Sequence, residues 1–372
     1  GRQKAEQHYG YLATYVMFYP QLVAGPIERP QNVLHQFHTE QKFDYQRVAD
    51  GLKWMAWGMF KKVVIADRMA LFVNPVYDAP NDYSGPALLL ATLAFAIQIY
   101  CDFSGYSDIA LGSAQVMGIK LMKNFDHPYF SKSVAEFWRR WHISLSTWFR
   151  DYLYIPLGGN RVRRLRWMFN LFVTFLVSGL WHGANWTFVI WGALHGTLVI
   201  FFERTKTFWM NLSKVSRLSR IPKAESAVAQ LSTFALVSFA WIFFRAASLP
   251  DAITIMKGLF TGWDSFITQA NQTAHQSLME LGTNGVTSLV NAPFKIFGQI
   301  TPEPRGTIFL TLLAFVILFV VELRQFRGNL IQDIKTKPIH VRLILYAALV
   351  TLTLTLGTLY VSEQQAFIYF QF

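Results

Sequence analysis

Apolar runs long enough to cross a lipid bilayer recur along this chain, separated by short charged blocks. A helix rises about 1.5 Å per residue, so a hydrocarbon layer about 30 Å thick takes roughly 20 apolar residues. Leu343 to Val361 and Tyr83 to Cys101 each run 19 residues without a charge; Ala229 to Phe244 runs 16 and Ile308 to Val321 runs 14. Trp167 to Phe202 runs 36 residues without Asp, Glu, Lys or Arg. As one helix it would measure about 54 Å, too long for a bilayer, so it must fold back, and Gly179, Gly183 and Asn185 mark the place. Three weaker segments complete the pattern. Tyr9 to Ala24 is interrupted at Pro20 and reads as a broken or re-entrant segment. Leu52 to Val73 carries Lys61, Lys62, Asp67 and Arg68 and reads as an amphipathic or partly buried helix, and Ile109 to Met122, broken by Gly and Ser, as a short intramembrane helix. The pattern predicts an all-α, polytopic integral membrane protein: six spans, up to three further segments and a single domain over residues 1–372.

Composition sharpens this. The 372 residues are 52% hydrophobic and only 15% charged, against about 25% charged in a soluble domain. Disorder, coiled coil and disulfide-rich secreted scaffolds are excluded, and the single Cys101 rules out an internal disulfide and Cys-based zinc sites. A net charge of +12 would suggest nucleic acid in a soluble protein, but the basic residues lie between apolar runs, with no nucleic-acid-binding module. Their distribution sets orientation instead. Residues 203–228 hold six basic residues against two acids, and residues 322–342 hold five against two; both should be cytoplasmic. Residues 245–307, with four of each, form the expected non-cytoplasmic loop. Both ends of the Trp167–Phe202 run are then cytoplasmic, and its apex, Trp181 to Trp186, lies deep in the membrane or near the far side. The start, Gly1 to Gln7, is polar, without an initiator Met or a signal-peptide pattern, and reads as the C-terminal part of a longer protein.

Two places carry candidate chemistry. His182 sits at the apex of the uncharged run, where an ionisable group is costly and marks either function or a hydrogen bond to a neighbouring helix. His195, thirteen residues on, is a packing residue or a partner. The second place is Phe125 to Arg161. Ser133-Val134-Ala135-Glu136 is a capping box, predicting a helix from there to about Tyr154, with Trp138, His142, Leu145 and Phe149 on one face. An interfacial helix anchored by Trp and Arg explains the aromatics and arginines, but not a histidine among them. Asp102 and Asp108 end a span; they could bind a cation, shape a cavity or cap the next helix. No phosphate-binding glycine loop, His-Glu-x-x-His motif or zinc spacing occurs, so no metal site is expected.

At these residues the chain resembles the membrane-bound O-acyltransferase (MBOAT) family, in the bacterial branch of alginate O-acetyltransferase AlgI and the peptidoglycan O-acetylation proteins. The resemblance rests on FYPQLVAGPIERP at 18–30, CDFSGYSDIALG at 101–112, NFDHPYFSKSVAEFWRRWHISLSTWFRDYLYIPLGGNR at 124–161, GLWHGANWTFVIWGALHG at 179–196, WIFFRAASL at 241–249 and FIYFQF at 367–372. Together these segments reach across nearly the whole chain. Teichoic acid D-alanyl transfer proteins are more distant relatives. The resemblance implies an MBOAT-type helical bundle with short intramembrane helices, a histidine core over residues 124–202, an essential histidine at His182 and a second characteristic one at His142. It also implies missing N-terminal spans. Asp102, Trp138, Arg139, Trp181 and Asn185 are the candidate substrate-binding positions around this core.

The implied chemistry is acyl transfer. His182 would act as general base on a hydroxyl, or on a partner's nucleophile, attacking an acyl thioester, with His142 orienting it or the substrate. The expected donor is acetyl-CoA, as a substrate and not a bound cofactor, its phosphates meeting arginines on the cytoplasmic face. The expected setting is the bacterial inner membrane, with membrane lipid, a periplasmic acetyltransferase or esterase-like protein and polysaccharide synthesis machinery as partners. The competing readings are a transporter or channel, with His182, His142 and Asp102 forming the path, and a noncatalytic scaffold.

Overall fold

The computed structural model describes residues 4–280, 286–298, 300–301, 305–328, 330–358 and 367–368. Among them the chain is helical, without a strand. In chain order the helices are α1 (Tyr9–Met17), α2 (Pro30–Phe37), α3 (Tyr45–Met59), α4 (Asp67–Asp78) and α5 (Gly85–Val116). Then come α6 (Val134–Arg140), α7 (Ile143–Phe149), α8 (Arg164–His182), α9 (Trp186–Val215), α10 (Pro222–Arg245) and α11 (Leu249–Gly258). The last are α12 (Trp263–Met279), α13 (Val286–Phe297), α14 (Arg305–Arg327), α15 (Leu330–Lys335) and α16 (Ile339–Leu356). Among the described residues five helices are long and apolar enough to cross a membrane: α5, α9, α10, α14 and α16. The end of the Leu343–Val361 run and the acid beyond it, Glu363, lie outside the described residues.

Helix α5 is the axis of the bundle. Of its most apolar window 78% is buried inside protein, against 6% for α16, which stands at the periphery. Against α5 lie α3, α4 and the π-helical turn Phe60–Ala66 that joins them. Glycines allow the approach. A Cβ on Gly51 would lie 2.6 Å from the Gly112 carbonyl oxygen, and one on Gly58 would lie 2.5 Å from that of Gly105. Two glycines seven residues apart on each helix therefore bring the backbones into contact, as small residues do in membrane helix pairs. The core continues through Phe60, Phe95, Trp191 and Trp241.

Helix α5 also departs from the expected pattern. It does not end at Cys101: it runs 32 residues and absorbs the short helix predicted from Ile109. Asp102 and Asp108 lie inside it and cap nothing, because charge from the π turn meets each of them. Lys62 Nζ is 2.7 Å from Asp102 Oδ1 and 2.8 Å from Asp67, while Lys61 Nζ is 2.6 Å from Asp108 Oδ2. A buried carboxylate is tolerated where it is paired and hydrogen-bonded, so the helix carries on.

The uncharged run does turn back, as α8 and α9, with the break at Gly183 and Asn185. Gly183 is extended, and Asn185 caps α9 by accepting from Thr187 N at 3.2 Å. Gly179 has another part to play. It stays helical and lets the limbs touch, since a Cβ there would lie 2.2 Å from the Phe188 carbonyl oxygen. The first limb, α8, opens on Arg164 and Arg166 and is not among the five long apolar helices.

Candidate functional site

The two histidines of the core are placed by two different devices. His182 ends α8, at the turn of the hairpin. Its half-buried ring packs among Trp181 (4.9 Å between centroids), Phe244 (5.1 Å) and Trp191 (5.2 Å). The turn also meets the end of α10, where Asn185 Nδ2 donates to the Ala247 carbonyl at 3.4 Å. The apex therefore lies at the end of the bundle from which residues 245–307 depart.

His142 is held by a break in the helix predicted over Ser133–Tyr154. The Ser133 half of the capping box forms, its Oγ accepting from Glu136 N at 3.1 Å, while Glu136 reaches one residue further back and accepts from Lys132 N at 2.9 Å. The helix nevertheless stops at Arg140. Trp141 is extended and His142 is left-handed (φ 42°, ψ 55°); α7 and a π-helical turn, Arg150–Tyr154, follow. The cause lies outside the segment. Buried Asn124 caps the new helix, its carbonyl accepting from Ile143 N at 2.9 Å and its Oδ1 from Ser144 Oγ at 2.6 Å, while Asp126 N donates to the Arg140 carbonyl.

The break undoes the single face expected for Trp138, His142, Leu145 and Phe149. Trp138 instead turns to α9, its indole N–H donating to His195 Nδ1 at 3.1 Å. His195 is fully buried, and this bond makes it a packing partner that fixes α6 to the hairpin. His142, 3% exposed, has its ring 4.6 Å from Phe103 and 6.4 Å from Trp181, which also packs on His182. The two imidazoles thus share a neighbour in Trp181.

The other candidate positions divide. Trp181 is exposed beside both histidines, and Arg139 is exposed on the last turn of α6. Asn185 is committed to capping α9 and to Ala247. Asp102 is committed to Lys62 and to the backbone N–H of Ile368 at 2.7 Å. Sequence reasoning passed over Asn124, and also a buried cluster on the other side of the Phe103–Phe125 rings. There Glu322 accepts from Tyr100 at 2.9 Å and meets His127 at 2.6 Å. Left-handed backbone at both His127 and His142 is a shared mark of the strained segment 124–142. Outside the spans, Arg29 reaches Asp151 at 3.0 Å. Burial alone would raise that carboxyl, but the Arg150 and Arg29 guanidiniums hold it below the usual carboxylate range.

The sequence model of the membrane-bound O-acyltransferase family, MBOAT, matches residues 3–264. The chain is 42% identical over 270 residues to a probable alginate O-acetylase AlgI of Azotobacter vinelandii, covering 72% of this chain and 51% of that protein. It is 34% identical over 373 residues to a peptidoglycan O-acetyltransferase of Helicobacter pylori, covering 98% and 65%. With a teichoic acid D-alanyltransferase of Bacillus subtilis it shares 30% over 209 residues, covering 52% of each. The chain thus spans about half to two thirds of the length of these relatives. With apolar spans, two histidines that share Trp181 and a family match over most of its length, this multi-pass membrane chain belongs to the membrane-bound O-acyltransferase family.

Proposed function

We propose that this chain carries the histidine core of a membrane-bound O-acetyltransferase that moves acetyl from a cytoplasmic thioester, acetyl-CoA, toward an extracytoplasmic polysaccharide in a bacterial inner membrane. One observation carries the reading: half-buried His182 at the hairpin turn and buried His142 on a separate segment both pack on Trp181. The names of the relatives, with alginate and peptidoglycan as acceptors, support O-acetylation of a glycan hydroxyl.

In this reading neutral His182 takes the proton of the attacking hydroxyl as its oxygen adds to the thioester carbonyl. The carbon–sulfur bond then breaks, and the proton passes to the departing thiolate, so that an ester and a free thiol form with no net proton released. His142, clamped by Asn124 and Phe103, is a positioning residue that holds its neighbour and the substrate in register. A separate periplasmic acetyltransferase, working with the polysaccharide machinery, would complete the transfer.

General-base catalysis contributes about 10²–10⁴-fold, so His182→Ala should lower acetyl transfer by that factor while the protein still inserts and binds donor. The assay is acetyl-CoA turnover by the full-length protein in vesicles, with solute flux followed in parallel. Normal turnover in the variant overturns the assignment, and flux without turnover favours a transporter.

A further inference from the structure

A cavity of about 470 Å³ opens between α3, α14, α15 and α16, away from the histidines. That volume is in the range of small-ligand sites. Its wall is apolar, with Trp57, Phe60, Ile317, Leu349 and Leu352 among the lining residues. Its charged groups are Asp50, Lys53 and Lys335, and they are joined: Lys53 Nζ is 2.8 Å from Asp50 Oδ1, and Lys335 Nζ is 2.7 Å from Oδ2. Burial alone would raise the Asp50 carboxyl, but the hydrogen bonds from Lys335 and Lys53 hold it down at about 2, so it is ionised at neutral pH. Two ammonium groups against one carboxylate leave a single positive charge. Lys53 also lies 5.1 Å from the Tyr346 ring, which fixes it at the mouth.

A second observation points the same way. Arg342 stands one turn before Tyr346 on α16, and its Nε is buried without a hydrogen-bond partner among the described residues. A further cation therefore stands one turn along the helix that forms the outer wall, although it does not itself line the cavity. That helix exposes Leu343, Ile344 and Val350 around it, as a lipid-facing helix would. Lys335 and Arg342 belong to the basic segment 322–342, expected at the cytoplasmic face, where basic pockets between spans take lipid headgroups.

We propose that this groove is a binding site for one anionic phospholipid, an acyl chain lying along Trp57, Leu349 and Leu352 and the phosphate neutralising the unbalanced charge of Lys53 and Lys335. Zwitterionic lipid satisfies the wall but adds no net charge at the mouth. The site is independent of the catalytic reading.

The test is native mass spectrometry of the full-length protein released from detergent, titrated with phosphatidylglycerol, phosphatidylcholine or inorganic phosphate. One phosphatidylglycerol should be retained per chain, in preference to phosphatidylcholine. At about 1 kcal/mol per basic residue near a headgroup, the double variant K53Q/K335Q should bind it about thirtyfold more weakly. Asp50→Asn should bind it about fivefold more tightly, whereas a purely structural role for the Asp50 cluster would weaken it. Leu349→Trp, which fills the groove, should exclude the lipid at unchanged helix content. Equal retention of both lipids overturns the proposal, as does competition by inorganic phosphate alone. So does a groove that retains no lipid, which would then be covered by protein.

Discussion

At His142 the backbone is left-handed, a conformation costing an L-residue roughly 1–2 kcal/mol that glycine adopts freely. That cost is met by neighbours that over-determine the site: Asn124 on the amides of α7, and Phe103 and Trp181 against the ring. His142→Gly should therefore be more stable than His142→Ala by about 1 kcal/mol, read as thermal unfolding in detergent, although both remove the imidazole that the proposed reaction uses. If the two unfold together, the strain is absent. Locally, the sequence announced a histidine among aromatics but not the break beneath it. The side-chain cap at Ser133 is a contact across three residues and was legible; the cap supplied by Asn124 comes from 20 residues upstream and was not.

Among the helices, the spans were legible because lipid imposes one requirement everywhere: about 20 residues without unpaired charge. The hairpin was found by the same rule, since an uncharged run of 36 residues has nowhere else to go. The rule failed at α5, where Asp102 and Asp108 looked like an end until Lys62 and Lys61 were seen to neutralise them. Pairing between segments some 40 residues apart is invisible to a scan along the chain. The glycine contacts between α3 and α5 are equally non-local. Gly105→Val places branched carbon where a single Cβ would already lie 2.8 Å from the Gly58 carbonyl oxygen, and should cost at least about 2 kcal/mol. Loss of folded yield, restored by no compensating change at exposed Leu52, is the expected result; wild-type stability would mean that the helices do not touch there.

The whole molecule has two unlike ends. One gathers the basic segments and the Asp50, Lys53 and Lys335 cluster; the other gathers the hairpin turn, Ala247, and Thr261 bonded to Gly85 at the start of α5. Cysteine labelling can establish their sides cleanly, because Cys101 is fully buried and is the only cysteine in the chain. A membrane-impermeant maleimide applied to intact spheroplasts should modify Ser265→Cys and spare Ser216→Cys, which should react only after permeabilisation. The reverse pattern would invert the orientation read from charge. The contact between the hairpin turn and the end of α10 reaches further than geometry. With Phe244 leaning on the imidazole of His182 and Asn185 tied to Ala247, the tip and the adjoining loop form one lever. A load placed on residues 246–248 should be felt at the His182 ring, the base of the proposed reaction, without crossing the membrane.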